Sequence, residues 1–258
     1  MSTPLVFDVH RSSTSDGPGL RTVLFLKGCP LNCYWCHNPE GKSPQPELAW
    51  FKEQCVGCHA CQNSCTHKNA CTACGACAAV CPTGAKRLYG TPFAKEELFE
   101  LIMADKPYFD ATGGGVTFSG GECMLYPQAV ASLAKDCREN GIHVAIDTSG
   151  QVPYRHFEAV LPFVDLFLYD IKCLDPDLHR RGTGADNTLI LSNLEKLRKT
   201  GTQILIRTPV IPDFNEGAEC DKIRQFCQDR NLSVAFLPYH ALGESKQAAL
   251  MAERHLQL

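Results

Sequence analysis

Cysteine spacing is the feature that most constrains how this chain can fold. Eleven of its 16 cysteines fall into three short runs, and eight of the eleven lie within residues 55–81, a density that ordinary packing does not explain. The first run is spaced C-x3-C-x2-C and the other two C-x2-C-x2-C-x3-C, and such spacings are typical of iron–sulfur cluster ligands. The runs are Cys29, Cys33 and Cys36; Cys55, Cys58, Cys61 and Cys65; and Cys71, Cys74, Cys77 and Cys81.

The runs differ in the number of ligands that they offer. A cubane cluster holds four irons, so a run of three cysteines leaves one iron without a protein ligand and open to chemistry, whereas four cysteines close their cluster. The pattern therefore predicts one reactive centre and two centres that only pass electrons. Zinc is the alternative for the first run, but zinc takes four ligands, commonly in pairs with two-residue spacing, and the triplet lacks an obvious fourth cysteine.

Bulk composition narrows the class of protein. A length of 258 residues with 44% hydrophobic residues suits one barrel-sized domain with a small insertion. The net charge of −3 argues against a nucleic-acid partner, and no apolar stretch is long enough to span a membrane. The N-terminus lacks a basic region followed by an apolar core, so we expect a cytoplasmic protein. In that reducing compartment, clustered cysteines indicate metal ligands rather than disulfides.

Three sections are visible along the chain. Residues 1–50 contain a strand candidate, Thr22–Leu26, that leads directly into the first cysteine run. Residues 51–90 are cysteine-dense and poor in periodic apolar pattern, so bound metal must supply their folding energy. We therefore predict one core domain, formed by residues 1–50 and 91–258, with a ferredoxin-like iron–sulfur insertion at residues 51–90.

Strand and helix patterns alternate through the remainder of the chain. Strands joined by helices become parallel neighbours through right-handed crossovers. Six strands fall short of a closed eight-fold barrel, so the pattern predicts a partial (β/α)6 TIM-like barrel with active groups at the strand ends. A doubly wound open sheet is the alternative. Besides Thr22–Leu26, the predicted strands are Val116–Ser119, His143–Ile146, Leu166–Ile171, Gln203–Arg207 and Ser233–Leu237, and the predicted helices are Gln128–Glu139, Tyr154–Leu161, Leu189–Lys199 and Cys220–Asp229.

The second and third cysteine runs match the bacterial ferredoxin pattern, including Pro82 after the last cysteine. In that pattern the fourth cysteine of each run ligates the other cluster. Only five residues separate the two runs, and Thr66 stands where proline is usual, so a module with a single cluster is the alternative. The crossed assignment gives one cluster to Cys55, Cys58, Cys61 and Cys81, and the other to Cys71, Cys74, Cys77 and Cys65.

Further short motifs run nearly end to end along the chain. They are DGPGLR at 16–21, FLKGC at 25–29, CHNPE at 36–40, GGGVTFSGGE at 113–122, DTSG at 147–150, DIK at 170–172 and LPYH at 237–240, with Gly243 and Lys246. In this combination the chain resembles the radical S-adenosylmethionine (SAM) superfamily and, within it, the activating enzymes of glycyl radical enzymes. Its cysteine-rich insertion is similar to that of the larger members of this family, which activate dehydratases, decarboxylases and lyases.

The resemblance implies an activity. An electron passed from the open cluster to bound SAM releases methionine and a 5′-deoxyadenosyl radical, which takes a hydrogen atom from one glycine of a partner glycyl radical enzyme. It also implies three 4Fe-4S clusters, a ferredoxin or flavodoxin as electron donor, and a monomer. Two alternatives are a radical SAM enzyme that acts on a small molecule or peptide, and a pure electron-transfer protein. The sequence does not identify the partner enzyme.

The resemblance also assigns site residues, each with a simpler structural alternative. The glycines could form tight turns, the tryptophan could fill the barrel mouth, Asp170 and Lys172 could form an internal ion pair, and Arg207 or Glu122 could lie at the surface. A monovalent cation beside Asp147, Thr148 and Asp170 is a further possibility from the resemblance. The expected cofactor contacts are Trp35, Cys36, His37, Gly120, Gly121, Glu122, Asp170, Ile171, Lys172 and Arg207.

Overall fold

A computed structural model of the chain describes residues 4–65 and 71–254. It contains a sheet of eight strands, in the order β10-β9-β8-β7-β6-β2-β1-β5, and a separate pair formed by β3 and β4. The strands are β1 (Leu5–Ser13), β2 (Arg21–Leu26), β3 (Glu47–Trp50), β4 (Lys86–Tyr89), β5 (Thr91–Pro92), β6 (Gly115–Gly120), β7 (His143–Thr148), β8 (Leu166–Asp170), β9 (Gln203–Val210) and β10 (Ser233–Pro238).

Ten helices accompany these strands in the described parts of the chain. None of them is long and apolar enough to cross a membrane. The helices are α1 (Ala60–Ser64), α2 (Ala76–Ala79), α3 (Lys95–Ala104), α4 (Lys106–Thr112), α5 (Pro127–Glu139), α6 (Tyr154–Val160), α7 (Pro176–Thr183), α8 (Thr188–Leu197), α9 (Ala218–Gln228) and α10 (Leu242–Arg254).

The six predicted strands form the parallel part of the sheet. Strands β2 and β6 to β10 pair in sequence order, each parallel to the next. All six residues of β2 are buried, as expected for a parallel strand that is covered on both faces. The prediction of a mostly parallel α/β sheet is therefore confirmed.

The two faces of this sheet differ, and the difference identifies a curled sheet. On β8, Phe167 and Tyr169 belong to the main core that includes the helices, whereas Leu166 and Leu168 pack inward with Leu205. In a strand, alternate side chains point to opposite faces. The helices thus cover the outer face, and the inner face closes on its own side chains, as in a barrel rather than a doubly wound sheet.

An ion pair across the interior confirms the curvature. Arg207 on β9 lies 3.5 Å from Asp16, in the loop that precedes β2, although three strands separate β9 from β2 in the sheet. A contact across three intervening strands fits a curled sheet. The resulting partial barrel has open edges at β10 and β5.

The antiparallel elements were not predicted from the sequence. Strand β1 pairs antiparallel with β2, and the short β5 pairs antiparallel with β1. Residues 10–12 of β1 are exposed, so a third of this strand lacks the apolar pattern of the core strands. Its strand structure comes from the neighbour to which it bonds rather than from its own hydrophobic residues.

The cysteine-rich insertion is attached through an antiparallel pair of strands. Strands β3 and β4 pair over four positions, from Glu47 with Tyr89 to Trp50 with Lys86, and the Phe51 N–H extends the pairing to the carbonyl of Ala85. The fully buried ammonium of Lys27, just after β2, donates to the carbonyl of Glu40 and to the carboxylate of Glu47. This cation joins the insertion base to the core.

Within the insertion, the two cysteine runs adopt the same backbone pattern at an offset of sixteen residues. Gly57 and Ala73, each just before the second cysteine of its run, both have positive φ values of 68° and 51°. His59 and Gly75, just after that cysteine, also have positive φ and precede the short helices α1 and α2. The residues between the runs, including Thr66, lie outside the described residues.

Candidate functional site

A cavity of about 440 Å³ opens where the parallel strands end. Its volume falls in the range of small-molecule sites, and its position is the one at which barrel enzymes place their active groups. Its walls combine the first cysteine run, the glycine stretch after β6, and polar side chains from the ends of β7, β8 and β9. Of the residues expected from the sequence, the cavity brings together Cys29, Cys33, Trp35, Cys36, His37, Gly120, Gly121, Asp170, Lys172 and Arg207.

The first cysteine run forms one wall as a loop with extensive backbone bonding. The Cys29 N–H donates to the carbonyl of Lys42, and the Asn32 N–H donates to the carbonyl of Thr183 at the end of α7. Burial raises the pKa of the Cys29 thiol to about 12, so its thiolate needs a bound cation as partner. Iron supplies such a charge.

The three thiols of the first run line one cavity. A zinc ion commonly takes four protein ligands, and this run supplies three. Three thiolates that leave one metal position open suit a cubane cluster.

Trp35 both fills space and faces the cavity. Its ring is only 6% exposed and packs against the ring of Phe214, with 4.3 Å between centroids. A side chain at Gly182 would collide with both rings, so the tryptophan is supported from behind by a tight contact. From the sequence, Trp35 could contact the cofactor or fill the barrel mouth, and its position in the structure is compatible with both.

The glycines after β6 are required by the protein backbone itself. A Cβ atom on Gly121 would collide with the carbonyl oxygens of Gly28 and Gly41, and Gly120 has a φ of 121°. The Gly121 N–H donates to Leu26. The sequence predicted that Gly120 and Gly121 contact a ligand. The structure shows a further reason for glycine at position 121, because the chain segments at Gly28, Gly41 and Gly121 approach one another closely there.

Glu122 lies beneath the cavity rather than on its wall. Its carboxylate accepts hydrogen bonds from Met124 N, Thr148 Oγ1, Ser149 N and Ser149 Oγ at 2.6–3.1 Å. Burial raises its pKa, and these four donors support the charged form. The side chain joins the ends of β6 and β7.

Ile171 is also absent from the wall: it is 1% exposed and packs in the main core.

Two pairs of oppositely charged side chains line the cavity: Asp170 with Lys172, and Asp147 with Arg207. Lys172 Nζ lies 2.7 Å from Asp170 Oδ2. Burial is the largest influence and opposes the charge on Lys172, but Asp170, Cys33 and Cys29 together outweigh it and raise the pKa of Lys172 above the usual value. Asp147 raises the pKa of Arg207, whereas burial raises the pKa of Asp147 itself. The internal ion pair that was the alternative interpretation of Asp170 and Lys172 thus exists, and both residues also line the cavity.

Two buried nitrogen atoms at the wall have no hydrogen-bond partner among the described residues. One is Arg207 Nη1, which lies 3.5 Å from Asp16 Oδ1 and 3.7 Å from Asp147 Oδ1. The other is His37 Nε2, and burial lowers the pKa of that ring. Buried polar groups are normally paired. These atoms are therefore suited to a polar ligand such as the carboxylate and adenine ends of SAM.

The C-terminal helix secures the segment that follows Cys36. Lys246 Nζ on α10 lies 2.7 Å from Glu40 Oε1, 3.1 Å from Asn38 Oδ1 and 3.3 Å from the carbonyl of His37. Glu40 is 1% exposed, so this ion pair is buried on its acidic side. The helix thereby holds one rim of the cavity.

Several residues of the site were not among the expected contacts. Asp16 and Ser119 line the cavity, and Ser119 Oγ donates to Asp147 Oδ2 at 2.7 Å. Buried Asn215 ties the Lys172 and Pro209 carbonyls together through its amide. Asp16 heads the DGPG motif and was therefore detectable, whereas Asn215 carries no sequence signal. Cys123 points away, toward the carbonyl oxygens of Phe118 and Asp147.

The cysteines of the insertion lie outside this cavity, and most have some exposure. Cys55, Cys58 and Cys74 are exposed. The Lys86 backbone N–H lies 3.5 Å from Cys81 Sγ, and this hydrogen bond lowers the pKa of that thiol. A thiolate at this position is therefore supported by the backbone of β4.

Comparison with known proteins agrees with this geometry. Residues 23–226 match the family model of the radical SAM superfamily. The (2S)-3-sulfopropanediol dehydratase activating enzyme of Klebsiella oxytoca is 38% identical, over 95% of this chain and 85% of that protein. The trans-4-hydroxy-L-proline dehydratase activating enzyme of Clostridioides difficile is also 38% identical, over 94% of this chain and 86% of that protein.

A solved structure shares the fold. The crystal structure of Streptococcus suis SuiB bound to precursor peptide SuiA matches with a TM-score of 0.57 and 14% identity, over 88% of this chain and 42% of that one. At this identity the similarity concerns the fold alone. On the family match and the two relatives, the chain belongs to the radical SAM superfamily and, within it, to the activating enzymes of glycyl radical enzymes.

Proposed function

We propose that this chain reductively cleaves SAM in the cavity at the strand ends and thereby installs a radical on one glycine of a partner glycyl radical enzyme. One observation carries the proposal: the three thiols of the first run share a single cavity with a buried, incompletely bonded arginine. When bound, the cluster and SAM together supply the electron and the 5′-deoxyadenosyl radical for the reaction.

The residues of the cavity have distinct roles in this proposal. Cys29, Cys33 and Cys36 hold the cluster. Arg207 Nη1, which lies beside Asp16 and Asp147 but has no hydrogen bond among the described residues, donates to the carboxylate of SAM. Lys172, held by Asp170, stands as a buried positive charge beside the thiolates and stabilises them. Because a hydrogen atom rather than a proton leaves the glycine, these residues bind and orient the reactants.

The remaining cavity residues exclude water and shape the site. Trp35 and His37 form the wall that we assign to adenine, and Gly120 and Gly121 offer backbone groups to the methionine end. We expected Glu122 and Ile171 to touch the cofactor, but we assign them supporting roles. The carboxylate of Glu122 fixes the ends of β6 and β7, and Ile171 holds the Asp170–Lys172 segment against the main core. A monovalent cation beside Asp147, Thr148 and Asp170 is the further ligand proposed.

We also propose that residues 51–90 form a ferredoxin-like module with two 4Fe-4S clusters, ligated in the crossed pattern, which gives three clusters in all. The repeated backbone of the two runs supports this, because equal halves suit two equal clusters. A ferredoxin or flavodoxin in the cytoplasm supplies the electrons, and the enzyme acts as a monomer toward its partner.

The test is anaerobic reconstitution followed by measurement of iron, SAM cleavage and radical transfer. We expect about twelve irons per chain, because three cubane clusters hold four each. Reduced enzyme with SAM should release methionine and 5′-deoxyadenosine, and a glycyl radical should appear on the partner by electron paramagnetic resonance. Cys33→Ala should abolish SAM cleavage while the irons of the insertion remain.

Two outcomes would contradict the proposal. SAM cleavage that survives in Cys33→Ala would remove the first run from the reaction. Cleavage without a radical on any glycyl radical enzyme encoded beside this chain would favour the alternative, an enzyme that acts on a small molecule or peptide. The first measurement tests the chemistry and the second tests the identity of the acceptor.

A further inference from the structure

The chain leaves the hydrogen-bond ladder of the sheet just before Lys172. The last ladder bond between β8 and β9 runs from the Ile171 N–H to the carbonyl of Arg207. In a parallel pair the next bond would run from the N–H of residue 209 to the carbonyl of Ile171. Residue 209 is proline and has no N–H, so the hydroxyl of Thr208 donates to that carbonyl instead, at 2.8 Å. The ladder therefore does not extend to the backbone of Lys172.

The side chain of Asn215 bonds the backbone at this point. Its amide nitrogen donates to the carbonyls of Lys172 and Pro209 at 2.6 Å and 2.7 Å, and its amide oxygen accepts from the Ile211 N–H at 2.7 Å. The side chain is fully buried, so water does not compete for these bonds. Because the two N–H groups of an amide point in fixed directions, Asn215 joins the ends of β8 and β9 in one arrangement.

The turn that carries Asn215 also contacts the first cysteine run. Phe214, the preceding residue, packs against the ring of Trp35. Ile211 and Phe214 share one buried cluster with Cys33 and Trp35. The turn thus touches the cysteine loop on one side and the segment after β8 on the other. It fixes the position of these two parts of the cavity wall relative to each other.

We propose that Asn215 is a positioning residue that holds the ammonium of Lys172 at a fixed place beside the thiolates of the first run, and thereby sets the reduction potential of the cluster bound there. This inference rests on the proposed function of the cavity, whose wall includes Lys172, Cys29 and Cys33. Reduction adds one negative charge to a cluster, so a fixed cation beside it favours the reduced state. A segment without the Asn215 bonds would let the ammonium move, and the potential would fall.

The test is an equilibrium redox titration of the reconstituted enzyme with dithionite, followed by electron paramagnetic resonance. One electron passes from the reductant to the cluster, and no bond in the cluster forms or breaks. The signal that is absent from Cys33→Ala identifies the first cluster. Asn215→Leu, which is similar in shape and has no polar atoms, should lower the reduced-to-oxidised ratio of this cluster at a given potential at least about twofold. Moving one charge from about 5 to about 6 Å from another has an effect of this size at an effective dielectric constant of about 20.

A double-mutant cycle shows whether the effect passes through Lys172. Lys172→Met removes the cation and should lower the same ratio at least about tenfold. In that background Asn215→Leu should change nothing further, because no ammonium remains to be displaced. Equal effects of Asn215→Leu in the two backgrounds, or no effect in either, would overturn the proposal.

Asn193 supplies the matched control. It is also fully buried, and its amide nitrogen donates to the carbonyls of Gly150 and Val152 at 2.9 Å and 2.7 Å. Asn193→Leu should lower the stability in denaturant as Asn215→Leu does, yet leave the ratio of the first cluster unchanged. If both variants lower the ratio equally, general loosening of the core explains the shift and the proposal fails.

Thr208→Val provides the test if Asn215→Leu does not fold. It removes only the side-chain bond to the carbonyl of Ile171 and should lower the ratio in the same direction by a smaller factor. An unchanged ratio in a folded Thr208→Val would then count against the proposal. The titration needs no SAM, so absence of SAM cleavage by the wild type would contradict the proposed function and leave the result on Asn215 intact.

Discussion

At the scale of the residue, the hydrogen bonds around a side chain decide what it does at the cavity. Glu122 looked like a cofactor contact, yet its four hydrogen bonds make it a link between strand ends. A sequence records that a carboxylate is present, but only the fold shows which donors surround it.

Gly121 offers the sharpest test at this scale. Gly121→Ala should destabilise the protein by about 3 kcal/mol or more and reduce iron bound by the first run, because its Cβ would collide with the Gly28 and Gly41 carbonyls. Thermal unfolding and iron analysis check this. Gly141→Ala is the matched control: Gly141 has a φ of 72° but open space around it, so we expect a cost of about 1 kcal/mol. Equal losses in the two variants would show that the close approach of the Gly28 and Gly41 carbonyls does not set the cost at Gly121.

At the scale of the element, the sequence predicted the parallel strands and four of the helices that join them, because these elements carry strong periodic patterns. It did not predict β1, α7 or α10. Helix α7 is stabilised by its Asp175 N-cap, and α10 by contacts far away in sequence, including Ala249 and Leu250 against the β1–β3 side of the core. Such contacts depend on the tertiary fold, so local patterns do not reveal them.

The contact between α10 and the segment after Cys36 gives the prediction at this scale. Lys246→Met should cost about 3 kcal/mol in the free energy of unfolding, because it leaves the carboxylate of Glu40 buried without its partner. It should also weaken SAM binding, since His37 and Asn38, which Lys246 also contacts, line the cavity. Denaturant unfolding and equilibrium dialysis with SAM measure the two effects.

A second substitution separates the ion pair from the helix itself. Adding Glu40→Gln to Lys246→Met should recover part of the lost stability, because the neutral amide needs no countercharge. If the double variant is less stable than the sum of the single changes, the ion pair is not the source of the effect.

At the scale of the whole molecule, the sequence predicted a partial barrel with a cysteine-rich insertion. The sequence placed the insertion at residues 51–90. In the structure β3 and β4 lie at this boundary, and Phe51 and Tyr89 pack with Phe7, Phe25 and helix α10. Apolar side chains from both sides of the boundary thus share one cluster.

Replacement of the insertion tests this description. A variant in which residues 53–83 are replaced by an Asn-Gly turn should retain the barrel. Strands β3 and β4 remain in this variant, and such turns favour antiparallel pairs of strands. We expect its iron content to fall from about twelve to about four per chain, with SAM binding by dialysis preserved. Unchanged iron content would show that the insertion binds no clusters. Loss of the circular dichroism signal of folded protein would show that the core needs the insertion in order to fold.

The buried ammonium of Lys27 has a consequence for exchange of parts between relatives. It receives one of its oxygen partners, Glu47, from the strand that leads into the insertion. A graft that begins at the first insertion cysteine keeps this carboxylate, whereas one that begins before β3 replaces the strand that carries it. Chimeras of relatives should therefore be joined downstream of Glu47, so that this oxygen partner of the buried ammonium is retained.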